Sequence, residues 1–438
     1  MIRTPKIESM NNSNTHALVL GGGGSRGSYT IGVLTTLMEQ KKTYDLVTGI
    51  SIGAIVGALY AMNKPVDLSS MIASFPSSGL ADGLFSFPDC HKAADEASKG
   101  FDAYVKAFQN NGPTTETLSK VFHSLFDFDA FEKSSLNFAC LASNVSKNQA
   151  RIFTKNELTS PEKVEQAVLA SAAYFPAYSL VNIDGDYYGD GGFLNWSLGR
   201  VAKELGAKKM TLVSLAQPGD NLVYEKDETE LLIRPIVPLA GFLNFGTATL
   251  RNQIMQGRLE ALKTMNLAPG YVYTFYPDDA LIFSSLSRMA VDILNRNHIQ
   301  LENGMLIEGL ETLMGCRLQP LENEYMKHYQ FGLLLECLAA VAGMDFYRQY
   351  HLGYFTKEML RRLESFSLHP QAAVLGSTLQ TDRMGAMNLM AFFYGGLKRN
   401  NGHLPAEYDI LKTKFDSVFL LALAWYVLEK FSPVLKLL

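Results

Sequence analysis

The sequence is short of three things that would each settle its class. Cysteine is sparse: Cys90, Cys140, Cys316 and Cys337 are the only four in 438 residues, with no CxxC pair and no Cys/His cluster. Disulfide frameworks and zinc sites are therefore not expected, and reduced, buried thiols are. Excess basic charge is missing too: 39 Lys and Arg stand against 43 Asp and Glu, a formal net charge of −4, so bulk charge argues against a nucleic-acid partner. Long apolar runs are also absent. The longest, Val418 to Leu428, is about half of the roughly 20 residues a bilayer span needs. Met1 to His16 is polar and carries no signal-peptide core, so it is expected to be a frayed lead.

What is present is a globular composition, 47% hydrophobic and 19% charged, in a chain longer than one hydrophobic core usually fills. Ala17–Leu20 reads as a short strand running into Gly21-Gly22-Gly23-Gly24-Ser25-Arg26-Gly27. Ile31, Leu34 and Met38 then recur at helical spacing. A second strand, Tyr44–Thr48, leads into Gly49-Ile50-Ser51-Ile52-Gly53. A small-residue helix follows, to about Met62, and is stopped by Asn63-Lys64-Pro65. Residues 68–135 read as helical and loop-rich. Phe138–Ala142 and Ala150–Thr154 read as strands, and Pro161–Ala172 as a helix with proline at its start. Asp184-Gly185 between short apolar runs predicts a hairpin delivering Asp190-Gly191-Gly192. A helix at Leu198–Leu205 and strands at Lys209–Leu215 and Tyr271–Tyr276 continue the α/β pattern. From about Ser284 the chain reads as helical, ending in an apolar helix at Leu411–Leu428.

Three features carry chemistry. Glycines two residues either side of Ser51 permit a sharp strand-to-helix turn that lifts the hydroxyl to a helix N-terminus, where backbone N–H groups favour negative charge. The glycine run has three readings. A dinucleotide fingerprint wants an acidic residue at the end of the next strand, whereas Asp45 stands at its start. A P-loop wants Gly-Lys-Ser/Thr, which is absent. A set of unencumbered N–H donors for an oxyanion uses the run and the elbow together and is preferred. The third feature, Asp190, is a candidate base, because a serine hydroxyl is a poor nucleophile until a neighbour accepts its proton. A histidine base would suit an α/β-hydrolase, with His298 as nominee. Those folds place several strands before the elbow, and here only about two precede Ser51, so a Ser–Asp dyad is preferred.

With these residues in hand, the chain resembles the patatin-like phospholipases over roughly residues 16 to 310. The resemblance rests on Leu20 to Gly27, on Gly49 to Ala54, on Asp190-Gly191-Gly192, and on the Ala/Ser-rich stretch Ala170 to Ala177 that ends near a proline. It implies a three-layer α/β/α sandwich with a mostly parallel central sheet. It also implies a serine lipid acyl hydrolase working through an acyl-enzyme: Ser51 as nucleophile, Asp190 as base, and the amides of Gly22, Gly23 and Gly24 as oxyanion donors. Gly27, Gly49, Gly53, Gly191 and Gly192 would shape the motifs. Arg26 stands where members carry Arg or Lys, and contact with a lipid phosphate and bracing of the loop both stay open. No metal or organic cofactor is implied. One departure is Asn195-Trp196-Ser197, where many members have Asn-Pro, and it bears on loop shape only.

The implied partners are a phospholipid or other acyl-ester lipid and the membrane surface presenting it, with an activating protein partner left open. A cytoplasmic, membrane-peripheral location is expected, with secretion as an effector without a classical signal peptide the alternative. Residues 1–15 are expected to be a flexible lead, 16–315 a catalytic domain, and 316–438 a helical domain acting as lid, membrane contact or regulator. Phe392, Phe393, Tyr394, Trp425 and Tyr426 are read as core. The rival reading is a patatin-fold binding module without turnover.

Overall fold

The computed structural model describes residues 15–63, 116–175, 177–296, 303–367 and 383–435, and the statements below concern those residues. The N-terminal lead, the greater part of the 68–135 stretch, Cys90, Pro176 and His298 lie outside them. The chain forms two compact units, Met1–Ala261 and Leu262–Leu438. The division falls well before the expected boundary at 315/316.

The first unit is built on an eight-stranded sheet, with β1 (His16–Leu20), β2 (Leu46–Ile50), β3 (Asn137–Asn144), β4 (Gln149–Thr154), β5 (Val181–Ile183), β6 (Asp186–Asp190), β7 (Lys209–Val213) and β8 (Thr229–Ile233). Along the sheet the order is β5-β6-β3-β2-β1-β7-β8, with β4 also on β3. The central β3-β2-β1-β7-β8 pairs are parallel, and β4, β6 and β5 join antiparallel at one end. The inner strands are nearly continuous apolar runs because both faces are covered. On one face Ala17, Val19, Leu46 and Leu141 pack with Val201, Ala202 and Leu205. On the other, Leu20, Val47 and Phe138 crowd Gly57 of α2 (Ile52–Ala61). With α1 (Gly27–Glu39) and α3 (Pro161–Ala172), this is a mostly parallel sheet flanked by helices.

Local signals are legible at the ends of these elements. Ser160 caps α3 by accepting the Lys163 amide, with Pro161 at the first helical position. Asp184 and Gly185 turn the β5–β6 hairpin with φ of 52° and 86°, the pair of positive values a type I′ turn needs.

Two strand expectations are corrected. Thr229–Ile233 is an edge strand that sequence reading missed, and its mixed burial explains why it carries no clear alternation. Strand Thr274–Phe275 does not extend the large sheet; it pairs with Gln349–Tyr350 inside the second unit. That pairing also corrects the expectation of no strand after about Ser284.

The second unit is otherwise helical, with its main helices at Ala280–Arg296, Asn303–Met314, Gln330–Val341, Leu352–Ser367, Arg383–Arg399 and Asp416–Leu435. The segment expected as one helix from Leu411 is broken at Phe415. Phe393, Tyr394, Trp425 and Tyr426 are buried, and Trp425 stacks on Tyr394 at 4.0 Å. Phe392 is only partly covered. A fully buried carboxylate, Glu336, accepts the amides of Tyr271 and Val272 at 2.8 Å each and the Tyr329 hydroxyl at 2.9 Å. Buried Lys263 donates to the carbonyls of the same two residues at 2.6 and 2.9 Å. No helix among the described residues is long and apolar enough to cross a membrane. Cys140 and Cys337 are free and buried, whereas Cys316 is partly exposed.

Candidate active site

Strand register brings the two candidate residues together. β3 pairs with β4 along one edge, so β2 and β6 share the other. There Leu141 pairs with Ile50, and the next residue, Ala142, pairs with Asp190. The end of β2 thus meets the end of β6 within one residue step, roughly 3.3 Å along the strand. Ser51 follows Ile50 directly.

At Ser51 the chain turns from strand to helix with φ 58° and ψ −129°, a conformation non-glycine residues rarely adopt. Gly49 and Gly53 make the turn feasible: a Cβ on Gly49 would lie 2.1 Å from the Gly53 carbonyl oxygen, and one on Gly53 2.4 Å from that of Leu20. The Ser51 amide donates to Ser171 Oγ at 3.0 Å, and that hydroxyl donates to the Leu141 carbonyl at 2.6 Å. Ser171, from the end of α3, is fully buried, so helix, strand and elbow are tied through one side chain.

Asp190 is 3% exposed, its carboxylate accepts the Gly192 amide at 2.7 Å, and the Ser51 hydroxyl lies close enough to favour its ionised form. Its own backbone is pinned from both sides, the amide donating to Ala173 and the carbonyl accepting from Ser143 Oγ at 2.8 Å. Desolvation raises the carboxyl above the ordinary Asp value, and Ser51 and Gly192 offset only part of this. Gly191 fits because a Cβ there would meet the Leu141 carbonyl oxygen at 2.2 Å.

The glycine run lies beside the elbow, since β1 and β2 are parallel neighbours with Leu20 opposite Gly49. The Gly21 amide is taken by Val213, and the Ser25 amide by Phe242. Between them, the amides of Gly22, Gly23 and Gly24 make no backbone hydrogen bond to a described residue. A Cβ on Gly22 would sit 2.9 Å from Ser51 Cβ, so this backbone passes against the serine. Gly27 is packed under Ile52, whose Cγ1 lies 2.4 Å from where a Cβ would be. The Arg26 Nε donates to the Ala240 carbonyl at 2.9 Å, which ties this side chain to the Ala240 loop. Ser25 Oγ does likewise to Gly241 at 3.1 Å. Asp45, the weak point of the dinucleotide reading, accepts the His16 amide instead.

Gly22, Gly23, Gly24, Arg26, Ser51 and Asp190 line one open cavity of about 620 Å³ at the carboxyl ends of the parallel strands, where open α/β sheets bind ligands. Among the described residues no histidine lines it and no cluster of metal-ligating side chains occurs. The missed residues are Ser171, Ser143 and the loop around Ala240–Phe242. Ser171 stood inside the Ala/Ser-rich stretch, and a serine among alanines on a helix facing the elbow was the available signal. Asn195, the first residue of Asn195-Trp196-Ser197, adopts a left-handed conformation that ends the turn after Asp190.

Residues 18–196 match the family model described as Patatin-like phospholipase. Human patatin-like phospholipase domain-containing protein 6 is 27% identical over 218 residues, 50% of this chain and 14% of that protein. The Drosophila melanogaster protein named Neuropathy target esterase sws is 24% identical over 212 residues, 47% of this chain and 13% of its own. The chain therefore matches only about a seventh of the length of these curated relatives. Among solved structures, VipD from Legionella pneumophila aligns over 97% of this chain and 94% of its own, with 10% identity and a TM-score of 0.29. The type III effector ExoU aligns over 93% of this chain and 86% of its own, with 13% identity and a TM-score of 0.22.

Proposed function

The chain carries a patatin-like phospholipase domain over residues 18–196, and from that premise we propose that it is a serine lipid acyl hydrolase acting through Ser51 and Asp190. The observation that carries the reading is a desolvated Asp190 carboxylate brought by strand register beside a serine held in a strained elbow, both lining one cavity. Ser51 Oγ bonds to the ester carbon as its proton passes to Asp190 and the carbonyl electron pair moves onto oxygen. The amides of Gly22, Gly23 and Gly24 receive that oxyanion, each such donor being worth roughly 3–4 kcal/mol in related chemistry. Collapse expels the alcohol, which takes the proton from Asp190 and leaves acyl-Ser51. Water repeats the sequence, with Asp190 as base, and releases the carboxylic acid. Arg26, anchored to Ala240, keeps the donor loop in place, and no metal or organic cofactor takes part. The Ser51 amide is not a donor in this scheme, because Ser171 holds it.

Phospholipids or other acyl-ester lipids, met at a membrane surface, are the substrates this reading assigns, and an activating protein partner fits the same scheme. The helical region from about 316 to 438, which falls within the second unit, is the part of the chain this reading assigns to such control. The test is hydrolysis of fluorogenic acyl esters and mixed phospholipids by the purified chain beside Ser51→Ala, repeated with membranes or cell lysate added. Ser51-dependent release of fatty acid is expected. Equal hydrolysis by both proteins would sink the Ser51 reading, and no fluorophosphonate labelling of Ser51 under any of these conditions would favour a binding module without turnover.

A further inference from the structure

Three aromatic rings stand at the cavity that holds Ser51 and Asp190, each from a different segment: Tyr174 just after α3, Phe193 in the turn after Asp190, and Phe242 in the loop that braces Arg26. Tyr174 is in ring contact with both others, at centroid separations of 5.6 Å to Phe193 and 5.7 Å to Phe242. Yet they are 42%, 48% and 39% exposed, respectively. Single exposed apolar side chains need no explanation, but three rings joined through Tyr174 with much of their surface open form a patch.

The rings are fixed to the reacting groups. The Phe242 carbonyl takes the Ser25 amide at 2.8 Å, so this ring rides on the backbone that closes the glycine run. Phe193 stands three residues from Asp190 and packs over Gly189, where a Cβ would meet its ring at 3.3 Å. Tyr174 follows Ala173, whose carbonyl holds the Asp190 amide. An apolar wall attached at both the oxyanion loop and the base turn meets whatever extends from the ester carbon.

Resting on the hydrolase reading of the same cavity, we propose that Tyr174, Phe193 and Phe242 form the binding site for the acyl chain of the substrate and set its chain-length preference. The occupant is a flexible saturated or unsaturated hydrocarbon chain. It gains by covering the exposed ring surface while its carboxyl end lies at Ser51. Chain-length preference then grows with the number of methylenes that reach the rings.

The experiment compares p-nitrophenyl butanoate and decanoate, both below their aggregation limits, with the full chain, Phe193→Ser, Phe242→Ser and the two combined. The readout is the ratio of kcat/KM for decanoate to that for butanoate. Each single substitution is expected to lower it, and the combined variant to lower it about tenfold or more. If Ser51-dependent hydrolysis persists and the ratio is unchanged in all three variants, the acyl-chain site is refuted and the hydrolase reading stands. If the variants instead lose co-sedimentation with phosphatidylcholine vesicles at an unchanged ratio, the rings belong to a membrane contact and the proposal is equally overturned. A wild-type protein that, with membranes or cell lysate added, hydrolyses neither ester or does so no better than Ser51→Ala removes the hydrolase reading itself.

Discussion

Gly22→Ala is the substitution that most directly weighs the oxyanion assignment. The added methyl would lie 2.9 Å from Ser51 Cβ, 3.3 Å from the Ile50 carbonyl oxygen and 3.7 Å from Ser51 Oγ. Carbon–carbon contacts are comfortable from about 3.5 Å, so roughly 0.6 Å of movement is required. The serine side cannot give easily, because its amide is held by Ser171 at 3.0 Å. The loop is held on its other side, by the Gly21 amide on Val213 at 2.9 Å. Moving the loop by that amount takes an amide from about 2.9 Å to about 3.5 Å from the oxyanion, beyond a useful hydrogen bond. Loss of one donor costs about 10²–10³ in kcat. The interaction exists only in the transition state, so KM should stay within about threefold. Stability should fall by about 1–3 kcal/mol, the usual range for overpacking. Ester hydrolysis and the rate of fluorophosphonate labelling, measured beside a thermal melt, read all three quantities. A folded Gly22→Ala protein with near-normal kcat, when Ser51→Ala is inactive, would refute the assignment of these amides as donors.

Asp190 predicts an acid limb. With its carboxyl raised by desolvation, kcat/KM should climb with pH through a point above the ordinary Asp value, and Asp190→Asn should lose roughly 10²–10⁴ in rate together with that limb. The stability sign is the reverse. A carboxyl whose folded value is raised stabilises fully below its unfolded value, and the contribution is lost as pH rises through the folded one. Asp190→Asn should therefore melt above wild type at neutral pH, and the difference should shrink in acid, as calorimetry at two pH values would show. Ser171→Ala removes the acceptor of the part-buried Ser51 amide, which costs about 1–3 kcal/mol of stability. It should also slow fluorophosphonate labelling, and an unchanged labelling rate would deny Ser171 any hold on the elbow. In the second unit, Glu336→Ala removes the acceptor of the Tyr271, Val272 and Tyr273 amides and of the Tyr329 hydroxyl, beside buried Lys263. Chemical denaturation should register a loss of about 3–5 kcal/mol.

What could be read from the sequence was local. The elbow was legible because close backbone approach at Gly49 and Gly53 admits no side chain, so the constraint is written in the residues themselves. The hairpin before Asp190 was legible for a similar reason, since its two positive φ values demand Asp-Gly or its like. Register then did the rest: once β2 and β6 share an edge of β3, Ser51 and Asp190 must meet. The parts that escaped reading are those whose partners are remote and chemically unspecific. Arg26 binds a carbonyl 214 residues away, and Ser25 one 216 residues away. Phe242 accepts the Ser25 amide through its backbone oxygen, an interaction any residue could supply. Nothing in the composition of Leu239 to Phe245 announces that role, because a carbonyl acceptor leaves no mark on residue type. The same holds for the edge strand Thr229–Ile233, which is specified by the open side of β7 more than by its own alternation. Motif glycines thus mark where the chain must come close. The segments they come close to are chosen by the fold, and in this site those segments carry one of the three rings and the brace for Arg26.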